Sequence, residues 1–314
     1  MANGELPSGV SVVVPVCRGA PTLRELNDRL TIVLAPRDVA FEVIFVDDRS
    51  PDESWQIIGE LAASHDAVRG LRLSRNYGQH AALLAGIRAA RYSITVTLDD
   101  DLQNPPEEIP RLLGELVEGV DVVYGVPRVV REDLMRRQAG RLARWSIKAS
   151  GVAHAPSVSS FRAFRTDLRR AFDVSIGPGV AIDSLLAWGT TQFTSIDVQH
   201  DEREVGVSNY TSRQLLTFAF DLFTGFTAIP LRIATFLGLA TSGFGAVLLL
   251  WVISRLIIDG DNIVGFPFLA SSIIIFSGVQ LLILGLIGEY LGRVHFRTMG
   301  KPSYAILSST DGSE

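Results

Sequence analysis

Two stretches without a charged residue constrain this chain more than any other feature. No Asp, Glu, Lys or Arg occurs from Ile233 to Ser254, 22 residues, or from Ile263 to Gly288, 26 residues. At about 1.5 Å per residue, 22 helical residues reach roughly 33 Å, enough for a hydrocarbon core of about 30 Å. The sequence therefore predicts two membrane-spanning helices. The linker Asp259-Gly260-Asp261-Asn262 is short and acidic, so the two spans form a hairpin. Arg232 precedes the first, and Arg293, Arg297 and Lys301 follow the second. The basic side faces the cytoplasm, which puts both termini there and the acidic linker outside. Arg255, near the outer end of the first span, fits by reaching to the interface.

Charged residues make up 20% of the 314, and the deficit against a soluble domain is concentrated in these two runs. Everything before Ile229 reads as a mixed soluble domain. The net charge of −5 argues against a nucleic-acid partner. A single cysteine, Cys17, excludes an internal disulfide framework and a cysteine-based zinc site. The stretch Met1 to Gly9 is polar and lacks a basic n-region, so no signal peptide is expected.

The soluble part alternates strand and helix patterns. Val10–Val14, Phe41–Val46, Val68–Leu73, Ile94–Leu98 and Asp121–Tyr124 read as short strands. Helical patterns lie between them, over Leu23–Leu34, Glu53–Ser64, Gln79–Ala90 and Pro106–Glu118. That alternation predicts an α/β fold with a mostly parallel sheet covered on both faces. Ligands of such sheets bind beyond the carboxyl ends of the strands. Two strands run there directly into carboxylates, Asp47-Asp48 and Asp99-Asp100-Asp101, which are expected to share one rim. A lone Asp after a strand is commonly a turn or helix cap, the role open to Asp52. Three in a row carry a repulsion that a bound cation would offset. In Leu102 to Glu108, Asn104 reads as a helix cap, Pro105 as its first turn and Glu107 as the capping-box acid. Gln103 is left as an oxygen donor beside the aspartates. Hard cations such as Mg²⁺ or Mn²⁺ take oxygen ligands and share them with substrate phosphates. No Gly-x-Gly-x-x-Gly, P-loop or Gly-x-Ser-x-Gly pattern occurs, so dinucleotide, P-loop and serine-hydrolase chemistry lack support.

Between Arg128 and Lys148, seven basic residues stand against two acidic ones. Arg137, Arg141, Arg144 and Lys148 fall on one helical face, and with Arg128 and Arg131 they suit an anionic membrane surface. Leu215 to Phe226 is amphipathic and is expected to lie along the interface before Pro230-Leu231-Arg232.

Several segments together resemble the polyprenyl-phosphate glycosyltransferases of glycosyltransferase family 2. They are VVVPV (12–16), VDDRSPD (46–52), RNYGQHAALLAGI (75–87), LDDDLQNPPEEIP (98–110), VVYGVPR (122–128), EREVGVSNY (202–210), PLR (230–232) and IGEYLGR (287–293). The wording NYGQH and LQNPPEEIP is most similar to the undecaprenyl-phosphate 4-deoxy-4-formamido-L-arabinose transferase branch. The resemblance implies a cytoplasmic GT-A (Rossmann-like) domain over residues 1–211, a juxtamembrane amphipathic helix over 212–232, two spans within 233–288 and a cytoplasmic tail over 289–314. It implies a protein of the inner membrane that forms a homo-oligomer, a tetramer in relatives.

The resemblance also implies roles. Pro15, Val16, Asp47, Asp48, Asp99 and Asp100 would line the nucleotide pocket. Asp101 and Gln103 would ligate Mg²⁺ or Mn²⁺. Asp99, Asp101, Arg128 and Arg203 would act in catalysis. Arg128, Arg131, Arg137, Arg141, Ser208 and Tyr210 would meet the acceptor phosphate or lipid, and Gly78 and His80 would line the sugar pocket. The implied reaction moves one sugar, with inversion, from a nucleotide-diphosphate sugar, UDP-linked by preference, to a polyprenyl phosphate. Cys17-Arg18-Gly19 departs from the family's usual Tyr-Asn-Glu, so the donor's base is left open. Two alternatives also stay open. A processive polysaccharide synthase usually needs more spans and a Gln-x-x-Arg-Trp-type motif. A catalytically degenerate membrane scaffold is favoured only by Cys17-Arg18-Gly19.

Overall fold

The structure, a computed structural model of the chain, describes residues 7–37, 39–127, 159–172, 182–201, 265–298 and 302–311, with scattered helical positions between 236 and 258. Two units divide the chain, Met1–Tyr210 with Gly300–Glu314, and Thr211–Met299.

In the first unit, β1 (Val10–Val16), β2 (Phe41–Asp47), β3 (Val68–Leu73), β4 (Ile94–Thr97) and β5 (Val122–Pro127) form where the apolar β-branched runs predict them. Three further strands, β6 (Arg162–Arg165), β7 (Phe193–Val198) and β8 (Ile306–Ser309), join the same sheet. Its order is β7-β5-β6-β4-β1-β2-β3-β8. Strand β6 runs antiparallel to both β4 and β5, and β8 antiparallel to β3, while the remaining pairs are parallel. The expected mostly parallel sheet is thus a mixed one with two reversed strands.

Every residue of β1 is buried, as a strand covered on both faces requires. Val12 and Val14 pack on one face with Leu23, Leu26 and Leu30 of α1 (Leu23–Leu34) and Ile58 of α2 (Ser54–Ser64). Val13 points to the other face, with Leu83, Leu84 and Ile87 of α3 (Gln79–Ala89) and Leu185 of α5 (Ile182–Gly189). Between those two helices in the chain lies α4 (Ile109–Gly114). Helix α3 sits close on the sheet because Gly86 has no side chain: a Cβ there would lie 2.3 Å from Val13 Cγ1.

The helix expected over Pro106–Glu118 is shorter, a 3₁₀ turn at Pro106–Glu108 followed by α4. The expected capping box is absent there. Pro105 stands extended at the cap, with no side-chain cap bond. Glu107 instead accepts two hydrogen bonds from Arg29, at 3.0 and 2.8 Å, a forked charge-assisted pair that engages both its carboxylate oxygens. Asp52 does accept from the amide of Ser54, which opens α2, at 3.2 Å.

Among the described residues the fold buries a basic charge as well as acidic ones. Arg162 of β6 is 1% exposed. Its guanidinium donates to Thr97 at 3.0 Å and pairs with Asp183 of α5, which also accepts from the Tyr124 hydroxyl at 3.0 Å. Removing one partner would strand the other's charge, so the three act as a unit.

In the second unit, α6 covers Phe266–Thr298. A Cβ on Gly238 would lie 3.5 Å from Ile283, and one on Gly245 3.4 Å from Phe276. Equal seven-residue steps in opposite directions mark two antiparallel helical segments meeting through glycines. Among the described residues, no helix is long and apolar enough to cross a membrane.

Candidate active site

Strands β4, β1 and β2 are neighbours and parallel, so their carboxyl ends open on one rim. Pro15 and Val16 close β1 opposite Val46 and Asp47. The amide of Asp48 donates to Val16 O at 2.9 Å, and that of Cys17 to Asp100 Oδ2 at 3.2 Å. Asp47, Asp48 and the Asp99–Asp101 run therefore meet around the end of β1.

Each carboxylate is held differently. Asp47 is fully buried; it accepts from the Ser50 amide at 2.9 Å and pairs with Arg72 at 3.1 Å. Asp48 spends both oxygens on backbone, accepting from the amides of Tyr77 and Gly78 at 2.7 Å each. Burial pushes its carboxyl above the usual range, and the two amide bonds oppose that shift. Asp99 accepts from Gln79 Nε2 and from Ser160 Oγ, both at 2.6 Å. Burial, reinforced by the charges of Asp99 and Asp101 and opposed by the Cys17 amide, pushes Asp100 up to about 7. Asp101 accepts from the Gln103 amide at 3.2 Å, and the Gln103 carbonyl accepts from the Asp201 amide at 2.9 Å.

Backbone strain gathers at the same place. Arg18, Arg49 and Leu102 are the described non-glycine residues with positive φ, at 62°, 58° and 60°. They follow β1, β2 and β4 respectively. Each left-handed residue costs about 1–2 kcal/mol, and such costs concentrate at functional sites. Gly19 allows the β1 loop to approach Asp100, since a Cβ there would lie 2.5 Å from Oδ2.

Gly78 caps α3 at φ 92°, and His80 lies in its first turn. The Ile182 amide donates to His80 Nδ1 at 3.4 Å, which leaves the ring proton on Nε2. Burial, then the Arg162 charge, lowers its pKa, with Asp183 opposing. Cys17 is exposed, but burial of its thiol and the charges of Asp48 and Asp100 raise its pKa, so it is a poor nucleophile. The rim thus offers carboxylates fixed by backbone and side-chain donors.

Among the described residues, no group of three or more His, Cys, Asp or Glu could hold a metal. Asp101 and Gln103 are neighbouring oxygen donors, and Mg²⁺-type cations commonly take one or two carboxylates and complete their shell with phosphates and water. The donor chemistry therefore fits a hard divalent cation shared with a substrate. Arg128, Arg131, Arg137, Arg141, Arg203, Ser208 and Tyr210 lie outside the described residues. Sequence reasoning overlooked Gln79, Ser160 and the Arg162–Asp183 pair. Only Gln79 carried a signal, its place between a glycine and a helix in the segment after β3.

Residues 11–176 match Glycosyl transferase family 2. Over 95% of its length the chain is 39% identical to the undecaprenyl-phosphate 4-deoxy-4-formamido-L-arabinose transferase of Pseudomonas paraeruginosa, covering 89% of that protein. It is 36% identical, over the same share, to the transferase so described from Aeromonas hydrophila, covering 92% of it. Among solved structures it is similar to glucosyl-3-phosphoglycerate synthase from Mycobacterium tuberculosis in complex with Mn²⁺, UDP and phosphoglyceric acid. The TM-score is 0.52 at 20% identity, covering 69% of this chain and 76% of that one. That likeness is one of fold, a GT-A-like mixed α/β sheet.

Proposed function

This chain belongs to glycosyl transferase family 2, and from that premise we propose that it moves a single sugar from a UDP-linked donor to undecaprenyl phosphate. The observation that carries the reading is the rim itself. Asp99, Asp100 and Asp101 stand beside the Asp48-clamped loop at the carboxyl ends of three adjacent parallel strands. The names of the relatives support the acceptor, and the Mn²⁺ and UDP of the fold neighbour support the donor and a cation.

In the proposed reaction an acceptor phosphate oxygen attacks the anomeric carbon from the side opposite the leaving group. The carbon–oxygen bond to the diphosphate breaks, UDP departs with the bonding pair, and the anomeric centre inverts. A phosphate monoester has its second pKa near 6, so the attacking oxygen is already ionised at neutral pH and needs no strong base. The Cys17 thiol, whose pKa is raised by burial and by Asp48 and Asp100, is a poor nucleophile, which agrees with a one-step displacement without a covalent enzyme intermediate. Pro15, Val16 and the Asp48-held loop would seat the nucleotide, and Gly78 and His80 would face the sugar. Asp99, fixed from two sides, would orient the reacting groups. Arg128 and Arg203 would contact phosphates. Mg²⁺ or Mn²⁺, held by Asp101 and Gln103, would offset the charge growing on the leaving diphosphate.

The same proposal places the enzyme at the cytoplasmic face of the inner membrane with two spans. The charge-free runs support it, as does the exposure of Phe244, Val247, Leu250, Leu269, Leu281 and Leu291, each above half. Strand β8 adds an independent argument. It pairs with β3, so residues 306–309 and the catalytic sheet share one side of any membrane, and the chain between them crosses it an even number of times.

The test is a screen of radiolabelled UDP- and GDP-sugars against short polyprenyl phosphates with Mg²⁺ or Mn²⁺. The expected product is one sugar per lipid, from a UDP donor. A ladder of products, or no transfer from any donor, would overturn the reading.

A further inference from the structure

Strand β8 lies beyond α6 in the chain, yet it is the outermost strand of the catalytic sheet. Its attachment is extensive. The amide of Thr310 donates to Gly70 O at 3.0 Å, and the amide of Gly70 donates to Thr310 Oγ1 at 2.8 Å. Asp311 accepts from Arg69 at 2.6 Å and from Arg91 at 3.0 Å. At the other end, the amide of Ser74 donates to Ala305 O at 2.9 Å.

The strand it covers leads straight to the rim. Arg72 of β3 sits opposite Ser308, where the register shifts between Arg72 and Leu73, and its guanidinium holds buried Asp47. Ser74 opens the loop whose next residues, Tyr77 and Gly78, give their amides to Asp48. The loop ends at Gln79, which grips Asp99. Thus the segment from Arg72 to Gln79 touches three rim aspartates in turn, and its starting end is fixed by the C-terminal strand.

We propose that β8 is a positioning element of the donor site: by pairing with β3 it fixes Arg72 against Asp47 and the 74–79 loop against Asp48 and Asp99. This rests on the reading of that rim as the donor site. The consequence is that binding of the water-soluble donor depends on residues made after the predicted membrane hairpin. Pairing of an edge strand is intermolecular chemistry in many proteins, so the strand should also act when supplied as a separate peptide.

The experiment uses the full-length chain with Thr310→Pro, which removes the amide bonded to Gly70 and the hydroxyl that Gly70 binds. Asp311→Asn is a milder second variant that keeps the strand's backbone bonds. Hydrogen exchange at Gly70 and Ser74 reports detachment of β8. Binding of UDP is measured directly, and the KM for polyprenyl phosphate separately. Detachment is expected to weaken UDP binding roughly tenfold, the size of one lost hydrogen bond to a charged group, with the acceptor KM unchanged. A peptide of residues 302–314 added to Thr310→Pro should restore UDP affinity. If Thr310→Pro does not fold, Asp311→Asn carries the test through a smaller loss of the same sign. Wild-type and variant chains binding UDP alike, with β8 detached, would overturn this inference alone. Equal losses for donor and acceptor would overturn it as well, since they mark a general loss of structure. A wild-type chain that binds no UDP would overturn the functional reading together with it.

Discussion

Gln79 is exposed, yet its side-chain amide donates to Asp99 Oδ1 at 2.6 Å. The bond is charge-assisted, which in a buried setting is worth about 1.5–3 kcal/mol; solvent access lowers that to about 1–2 kcal/mol. If Asp99 must be held in one orientation for transfer, Gln79→Ala should cost that much in the transition state. At about 1.4 kcal/mol per tenfold, kcat falls roughly 5- to 30-fold. Gln79→Glu is the sharper variant. It replaces the donor with a like charge beside Asp99, a repulsion of up to about 4 kcal/mol at ~4 Å and an effective dielectric of ~20. Both changes also remove that bond from the resting fold, so unfolding stability should fall by no more than about 1–2 kcal/mol for alanine and about 4 kcal/mol for glutamate. The assay is single-sugar transfer to a short polyprenyl phosphate, with melting temperature measured in parallel. Wild-type kcat in the alanine variant, or a glutamate variant milder than alanine, would refute the role given to Asp99.

Asp101→Ala should abolish metal-dependent transfer while the protein still inserts and folds; full activity of that variant in the presence of chelator would remove the cation from the mechanism. Asn27 is fully buried in α1, and neither its amide nitrogen nor its oxygen has a partner among the described residues. Asn27→Leu should therefore stabilise the fold by about 1–3 kcal/mol, read as a raised denaturation midpoint. His80 faces Arg162 and Asp183, and burial depresses its folded pKa below the ordinary value of about 6.5. The unfolded chain then binds more protons in that window. This contribution to stability is full above pH about 6.5 and is lost as pH falls through the folded value. His80→Gln should flatten that part of the pH–stability curve, measured by denaturant titration between neutral and mildly acidic pH.

Strands β1 to β5 were legible because burial on both faces demands unbroken apolar runs such as Val12-Val13-Val14. Strand β6 was not, because it starts and ends in arginine: Arg162 is buried only by virtue of Asp183, a partner from another element. Strand β8, Ile306–Ser309, is four residues long and half exposed, so its pairing with β3 leaves little hydropathy signal. The rim aspartates could be read from their place after strands. Their partners could not: Ser160 reaches Asp99 across 61 positions and Gln79 across 20, distances at which only the folded chain brings groups together. The capping box at Asn104 failed for the same reason, since Arg29 claims Glu107 from 78 residues away.

The late position of β8 bears on how the protein is made. Ribosomes add roughly 5–20 residues per second, and domains generally fold as they emerge. The sheet's first seven strands are complete by Val198, but β3 keeps an open edge until Ile306 to Ser309 have been synthesised. An open edge invites pairing with other chains. Under the proposed two-span topology the nascent chain would be threading its apolar segments into the bilayer in that interval, and completion of the sheet would then wait on delivery to the membrane.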